Sequence, residues 1–474
     1  MYAELAKVRA ELCAPGQLFE MEDVEVRGLT LRAWKHAPPS LRDFWLSSAG
    51  HGDKDYLVYN EERWTYAQAH ETVARIARWM AEQGVQPGDR VAIAMRNYPE
   101  WLLSYWAILS LGAVVVGVNA WWVPEELAYG LNDSKPKLIF CDRERLERWQ
   151  QIRGELPDML AVAVRCEESL PEGVVPWDMV LEADADLPEA SIDPDDDACI
   201  FYTSGTTGRP TGAQLTHRGC TNNVISALFS NLSQFTTLAR LAGKEMSPPG
   251  PSAVLLTTPL FHVTANNVIA QSNTMLGNKL VHMYKWDAGE AIRLIEREKI
   301  SSLSGVPVMA REVLTHPDYE KADLSSLSAI GGGGAAVQPD LVEKIDDKTD
   351  ASAVSAFGMT EVCGLVTGIA GPFFSDKPGS VGPVIPTHDV KCVDGEGNEV
   401  PRGERGEVLL RGPQVIKGYL NRPDATAETI VDGWLHTGDI GYLDEDGFLY
   451  LVDRAKDMVL RGGENISCAE VEAV

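Results

Sequence analysis

Hydrophobic and polar positions follow two different periods along the first two thirds of the chain. Between Thr65 and Gly84, apolar residues recur every three to four positions, after a Thr65–Gln68 pair at capping-box spacing. This pattern predicts an amphipathic helix that ends at Gly84. Short apolar runs such as RVAIAM and KLIFC follow helical segments and read as buried strands. The alternation predicts an α/β fold whose parallel sheets are covered by helices.

The stretch from Trp101 to Val123 carries no charge and is long enough to span a bilayer. Gly112 divides it, however, into a helical half, Trp101 to Leu111, and a β-branched run, Ala113 to Val118, typical of a strand buried on both faces. We therefore interpret the stretch as protein core and predict no transmembrane segment.

The pattern of polar and apolar residues changes twice along the chain. A chain of 474 residues is also too long to form one compact core. Residues 184–198 are acidic and contain proline, which is typical of an exposed linker. After about Gly379, short strands alternate with turns. We predict a large domain at 1–455, made of two parallel-sheet α/β subdomains (about 43–195 and 196–378) and a small β-barrel-like subdomain at 379–455.

The composition excludes several kinds of partner. A net charge of −27 disfavours nucleic acid and anionic membrane surfaces, both of which would repel the protein. The eight cysteines include no C-x-x-C pair, so neither a zinc site nor a disulfide framework is indicated. The N-terminal segment lacks the apolar run of a secretory signal. We expect a protein of the reducing cytoplasm.

The segment FYTSGTTGRPTG, which begins at Phe201, joins an apolar strand to a loop of small hydroxyl residues and glycines. Backbone N–H groups and hydroxyls that converge in such a loop form a nest for a polyphosphate. The loop lacks the lysine of the G-x-x-x-x-G-K-[ST] pattern. Taken alone, the segment also fits an exposed loop that binds nothing.

The loop is the first of four sequence motifs that together indicate its role. YTSGTTGRPTG, PLFHVTA, AFGMTE and DGWLHTGDIGYLDEDGFLYLVDRAKDMVLRGGENI follow one another in the chain. Together they resemble the adenylate-forming superfamily, which includes acyl-CoA synthetases, adenylation domains of peptide synthetases, and luciferases. The resemblance runs from about Asp43 to the end. It implies an AMP-forming ligase that uses ATP, Mg²⁺ and coenzyme A.

The resemblance assigns roles position by position. Thr203 and Glu361 would hold Mg²⁺ and, with His262, act in catalysis. Phe357 would lie against the adenine in place of the usual tyrosine, and Asp439 would accept bonds from both ribose hydroxyls. The implied nucleotide-binding residues are Thr203, Ser204, Gly205, Thr206, Thr207, Gly208, Gly333, Gly334, Ala335, Ser355, Ala356, Phe357, Gly358, Met359, Thr360, Asp439 and Arg454.

The implied acyl pocket consists of His262, Val263, Gly332 and Ala356, although a buried structural histidine is the alternative for His262. Val263 stands where members that activate amino acids carry an aspartate, which favours a plain carboxylic acid, and we expect a fatty acid. The alternatives are an aryl-CoA ligase or another acyl-adenylating enzyme, or a nucleotide-binding protein without catalysis. The expected partners are the acid, ATP and coenzyme A, with a homodimer left open.

Two positions depart from the family pattern. Thr211 replaces a lysine that lends charge to the phosphates, so we expect weaker ATP binding unless Arg209 or Arg218 substitutes for it. Lys456 matches the family's hinge, and residues 456–474 match only the beginning of a small C-terminal domain that carries a catalytic lysine near its far end. We therefore expect this chain to bind nucleotide but to make little acyl-CoA.

Overall fold

The computed structural model describes residues 1–156, 158–166, 169–203, 209–245, 250, 252–333, 337–454, 459–461 and 464–466. Eight of the predicted site residues lie outside these ranges, namely Ser204, Gly205, Thr206, Thr207, Gly208, Gly334, Ala335 and Lys456.

The strands are β1 (Met21–Val26), β2 (Leu29–Trp34), β3 (Asp55–Tyr59), β4 (Glu62–Thr65), β5 (Arg90–Ala94), β6 (Val114–Gly117), β7 (Leu138–Asp142), β8 (Leu160–Val164), β9 (Val174–Pro176), β10 (Asp197–Thr203), β11 (Thr211–Thr216), β12 (Ala253–Leu256), β13 (Lys279–His282), β14 (Ser302–Ser304), β15 (Ala329–Gly332), β16 (Ser352–Met359), β17 (Gly364–Ala370), β18 (Ser380–Pro383), β19 (Asp389–Val393), β20 (Gly406–Arg411), β21 (Gly418–Tyr419), β22 (Ile430–Val431), β23 (Trp434–Leu443), β24 (Phe448–Arg454), β25 (Val459–Arg461) and β26 (Glu464–Ile466).

The α-helices are α1 (Tyr2–Leu12), α2 (Leu41–Ser47), α3 (Tyr66–Glu82), α4 (Pro99–Ser110), α5 (Pro124–Ser134), α6 (Arg143–Ile152), α7 (Trp177–Val180), α8 (His217–Leu241), α9 (Ser272–Leu276), α10 (Ala288–Glu298), α11 (Pro307–Thr315), α12 (Pro339–Lys348), α13 (Pro372–Asp376) and α14 (Pro423–Thr429). A π-helix, Thr264–Gln271, precedes α9, and a one-turn 3₁₀ helix, Thr360–Val362, follows β16.

Two eight-stranded sheets form the larger part of the molecule. The first has the order β21-β11-β10-β6-β5-β7-β8-β9 and is parallel except at β11 and β21. The second has the order β17-β16-β15-β14-β12-β13-β3-β4 and is parallel except at its two edges, β17 and β4. The predicted α/β class with parallel sheets is confirmed.

Each sheet contains strands from both sides of the acidic stretch 184–198. β10, which begins at Asp197 near the end of that stretch, and β11 complete the first sheet, whereas β3 and β4 precede the stretch and complete the second. Apolar residues of β10 pair in parallel with β6 at Cys199↔Val115 and Ile200↔Val116, inside the core. The two sheets are therefore tied together by the course of the chain itself.

Helix α4 fills the space between the sheets and is buried over its whole length. Trp106 Nε1 donates a hydrogen bond to the Tyr56 hydroxyl on β3 at 2.9 Å, while the Tyr105 hydroxyl lies 3.5 Å from Cys199 Sγ on β10. The uncharged stretch is thus core from Trp101 to Val118, as predicted, whereas Trp121 and Val123 near its end are exposed. Among the described residues, no helix is both long enough and apolar enough to cross a membrane.

The strands after Gly379 form a smaller antiparallel sheet in the order β18-β24-β23-β20-β19, with β22 paired to β23. Its residues Val408, Leu410, Leu435 and Leu449 pack in one apolar cluster with Phe357 of β16. This contact attaches the small sheet to the carboxyl-terminal part of β16, where the predicted nucleotide motif lies. The small β-rich part of the predicted fold is confirmed.

The capping box of α3 offers a stability test. Thr65 Oγ1 accepts from the Gln68 backbone N–H at 3.2 Å, and Gln68 Oε1 accepts from the Thr65 N–H at 2.9 Å. Thr65→Ala should lower the free energy of unfolding by about 1 kcal/mol, because an N–H group of the first turn loses its partner. Urea unfolding measures this loss. Thr72→Ala, on the same helix, serves as the control and should be neutral or slightly stabilising; an equal loss in both variants would contradict the role of the cap.

Candidate active site

The predicted phosphate loop starts where β10 ends, at the edge of the first sheet. Cys199, Ile200 and Phe201 anchor β10 in the core, and Thr203 is its last residue. β11 returns antiparallel and places Thr211 opposite Thr203, whose hydroxyl donates to the Thr211 carbonyl at 3.4 Å. The loop residues 204–208 themselves lie outside the described residues. Its two ends are therefore fixed by one hydrogen-bonded pair of strands.

Glu361 lies on the 3₁₀ turn after β16, and only 7% of the residue is exposed. The Tyr419 hydroxyl donates to its Oε1 at 2.9 Å, and the Thr203 hydroxyl is near enough to this carboxyl group to affect its pKa. Burial raises the pKa of Glu361, whereas its own backbone N–H, the Tyr419 hydroxyl, the charge of Arg454 and the Thr203 hydroxyl oppose that rise. The fold thus brings Thr203 and Glu361 together from different sheets.

Mg²⁺ is the cation that these two side chains would fit. A hydroxyl and a carboxylate are hard oxygen ligands, and Mg²⁺ usually takes one or two carboxylates and completes its shell with water and substrate phosphates. Within the described ranges, no group of three or more His, Cys, Asp or Glu residues could hold a metal ion.

Asp439 and Arg454 face each other across β23 and β24, where they are direct register partners. Arg454 Nε lies 3.2 Å from Asp439 Oδ1; the aspartate is buried, while two thirds of the arginine side chain is exposed. Burial raises the pKa of Asp439, Arg454 lowers it, and the negative charge of Glu361 raises it further. The carboxylates of Asp439 and Glu361 are therefore electrostatic neighbours, although they belong to different sheets.

The predicted adenine-binding residues lie along β16 and alternate between its two faces. Ser355 and Phe357 are buried, whereas Ala356, Met359 and the following Thr360 are partly exposed. Gly358 is exposed, but a Cβ atom there would lie 1.7 Å from the Gly364 carbonyl oxygen. The Phe357 ring belongs to the cluster under the small sheet.

The residues of the predicted acyl pocket differ in how far they are exposed to solvent. Val263 is buried and His262 is partly exposed, and burial lowers the pKa of the His262 imidazole. Gly332 pairs with Ser355 in the sheet at a φ of +146°, and a Cβ atom there would lie 2.1 Å from the Gly305 carbonyl oxygen. Gly333, which follows it, is partly exposed. Glycine at 332 thus allows two backbones to approach closely beside the pocket.

Tyr419 is a site residue that the sequence did not indicate. It lies on β21, a two-residue strand that pairs with β11 through Ala213↔Tyr419. This edge pairing carries its hydroxyl to Glu361. A two-residue strand is too short to show alternating apolar and polar positions, so the sequence does not indicate this contact.

Comparisons with known proteins show the family to which this chain belongs. A sequence model described as AMP-binding enzyme matches residues 44–420. Feruloyl-CoA synthase from Amycolatopsis sp is 35% identical over 408 residues, which cover 86% of this chain and 77% of that protein. Long-chain-fatty-acid–CoA ligase from Bacillus subtilis (strain 168) is 30% identical over 452 residues, which cover 90% of this chain and 78% of that protein.

A solved structure gives the same result at the level of the fold. The structure of o-succinylbenzoate coenzyme A synthetase from Bacillus subtilis, in complex with ATP and magnesium ion, superposes with a TM-score of 0.75 at 27% identity and covers 91% of this chain and 83% of that chain. The chain therefore belongs to the AMP-binding enzyme family, among its ATP-dependent acyl- and aryl-CoA ligases.

Proposed function

We propose that this protein activates a fatty acid as its acyl-adenylate and transfers the acyl group to coenzyme A. In the first step a carboxylate oxygen of the acid attacks the α-phosphorus of ATP and the bond to pyrophosphate breaks. In the second step the thiol sulfur of coenzyme A attacks the acyl carbonyl carbon, loses its proton, and AMP departs.

The placement of Thr203 and Asp439 within electrostatic range of Glu361 supports the first step. Asp439 would accept hydrogen bonds from the two ribose hydroxyls, with Arg454 beside it, and so fix the nucleoside. Thr203 and Glu361 would then hold Mg²⁺ next to the phosphates. When bound there, Mg²⁺ neutralises charge that develops during transfer. His262 would lie beside the reacting carboxylate.

An apolar cluster that Ala356 shares with α8 supports a fatty acid. Ala356 of β16, Val268 of the π-helix, and Leu228 and Leu232 of α8 are all partly exposed and pack against one apolar cluster. From Leu228 to Phe235, which is 55% exposed, α8 presents apolar residues at helical spacing over about 10 Å of its axis. This stripe is the single observation that favours an extended alkyl chain.

An aryl acid is the second candidate. The feruloyl-CoA synthase shares 35% of its aligned residues with this chain, against 30% for the fatty-acid ligase. One pocket cannot favour both acids strongly, because a flat phenolic ring and a flexible chain need different shapes and polar groups.

A competition assay separates the two candidates. The full chain is incubated with MgATP, coenzyme A and equal amounts of octanoate, palmitate, benzoate, 4-coumarate and ferulate, and acyl-adenylates and acyl-CoA products are measured by mass spectrometry. We expect a fatty acid to be favoured by about tenfold or more. The reverse preference would assign the protein to the aryl-CoA ligases. Binding of MgATP without any adenylate would instead support a nucleotide-binding protein without catalysis.

A further inference from the structure

Thr211 leaves the predicted phosphate loop without the lysine that its relatives' pattern would place there. The residue is the first of β11 and lies opposite Thr203, next to the loop. ATP carries about four negative charges to this edge of a protein whose own net charge is −27. A positively charged side chain from another position near the loop would therefore strengthen ATP binding considerably.

The structure excludes Arg218, one of the two arginines that could substitute for the missing lysine. Arg218 Nε and Nη2 each lie 2.8 Å from a carboxylate oxygen of Asp195, so its charge is already paired. Arg218 also follows the far end of β11, and the strand alone spans about 17 Å from Thr211. Lys417, another nearby cation, pairs with Asp197 at 3.2 Å.

Arg209 is placed differently. It directly follows the predicted loop, is exposed, and its guanidinium carbon lies 5.5 Å from the centroid of the Tyr129 ring. Within the part of the chain that the structure describes, no carboxylate forms an ion pair with Arg209. An aromatic face can hold a guanidinium group in place while its N–H donors stay available.

Tyr129 also contacts a second arginine. Its hydroxyl accepts a hydrogen bond from Arg422 Nη2 at 2.7 Å, so two guanidinium groups meet at one ring. Asp133 lies 3.5 Å from Arg422 Nη1 and also accepts from the Tyr202 hydroxyl at 3.0 Å. Because Tyr202 is one residue before Thr203, these side chains adjoin the end of β10.

We propose that Arg209, held over the ring of Tyr129, supplies the positive charge to the β- and γ-phosphates of ATP that Thr211 does not. The inference rests on the proposed function, since it assumes that the loop binds ATP. A guanidinium group suits the task because its planar set of donors can bond two phosphate oxygens at once. Tyr129 would act as a positioning residue for Arg209.

The test compares MgATP with AMP, which lacks those two phosphates. Arg209→Gln should weaken MgATP binding about three- to tenfold, measured by calorimetry, and should change AMP binding by less than about twofold. The loss should shrink as salt is raised, because exposed charges are screened. Adding Thr211→Lys to Arg209→Gln should restore MgATP binding by returning a cation to the loop.

Three further variants exclude an indirect effect. Arg153 is another arginine over an aromatic ring, with its guanidinium carbon 5.0 Å from the centroid of the Trp149 ring. It lies beside β9, at the opposite edge of the sheet that contains β10 and β11. Arg153→Gln should therefore leave MgATP binding unchanged. Tyr129→Leu should weaken MgATP selectively, whereas Tyr129→Phe, which keeps the ring, should retain most of the affinity.

The outcomes separate this inference from the function on which it rests. Wild-type protein that binds neither MgATP nor AMP would refute the proposed function. Normal MgATP binding by Arg209→Gln, equal losses for MgATP and AMP, or no recovery with Thr211→Lys would each overturn the role of Arg209 and leave the function intact.

Discussion

Replacing Glu361 by glutamine is expected to slow acyl-adenylate formation by about 10²–10³-fold, the usual cost of removing one group that stabilises transition-state charge. Glutamine keeps the shape of the side chain and an oxygen that can accept from Tyr419, but it removes the charge that would hold Mg²⁺ beside Thr203. Exchange of labelled pyrophosphate into ATP, followed over a range of Mg²⁺ concentrations, measures the effect. The variant should also need more Mg²⁺ for half-maximal rate.

Tyr419→Phe is the matched control for this variant. It removes the hydroxyl that donates to Glu361 Oε1 but leaves the carboxylate in place, so the rate should fall by about tenfold or less. Thermal unfolding of both variants shows whether the fold is retained. A wild-type rate and Mg²⁺ requirement in Glu361→Gln would contradict the proposed metal site.

The pH dependence of the same reaction follows from the burial of Glu361. Burial raises the pKa of this carboxyl group, and only its ionised form would bind Mg²⁺. The rate at low MgATP concentration should therefore fall as the pH is lowered, beginning at a higher pH than an ordinary glutamate would give. This dependence should be absent from the residual activity of Glu361→Gln.

Replacing Asp439 by alanine is expected to weaken ATP and AMP binding by about 2–4 kcal/mol, the scale of two charge-assisted hydrogen bonds. The change leaves Arg454 without its partner, but two thirds of that side chain is exposed, so no buried charge is stranded. Calorimetry with ATP, AMP and 2′,3′-dideoxy-ATP measures the effect. Wild-type protein should lose a similar amount of affinity for the dideoxy compound.

The dideoxy compound also gives the decisive comparison. If Asp439 meets the ribose hydroxyls, Asp439→Ala should bind ATP and dideoxy-ATP almost equally, since neither can use the missing carboxylate. Asp439→Asn keeps one acceptor oxygen and should fall between wild type and Asp439→Ala. If Asp439→Ala still prefers ATP over dideoxy-ATP as strongly as wild type does, another residue binds the ribose hydroxyls.

Several features could be predicted because their cause is local in the sequence. The capping box needs only Thr65 and Gln68 at the right spacing, and the structure forms it. The uncharged segment from Trp101 breaks at Gly112, where φ is +71°, between α4 and β6. The family was evident from four motifs in order, and the comparisons confirm it.

Other features depended on which strands pair, and the sequence does not specify this. Strand pairing uses backbone N–H and C=O groups that nearly every residue carries, so the pattern shows that a strand exists but not its neighbour. The pairing of β10 with β6 and of β3 with β13 therefore became visible only in the structure. The same holds for β21, which carries Tyr419 to Glu361.

The sequence by itself thus determined the fold class, the family and the residue types of the candidate site. Only the tertiary structure decided that Thr203 and Asp439 lie within electrostatic range of Glu361, and that Arg218 is neutralised by Asp195 while Arg209 lies over Tyr129. The reason is physical: capping, periodicity and motif chemistry act over a few residues, whereas these contacts join segments that become neighbours only when the sheets assemble.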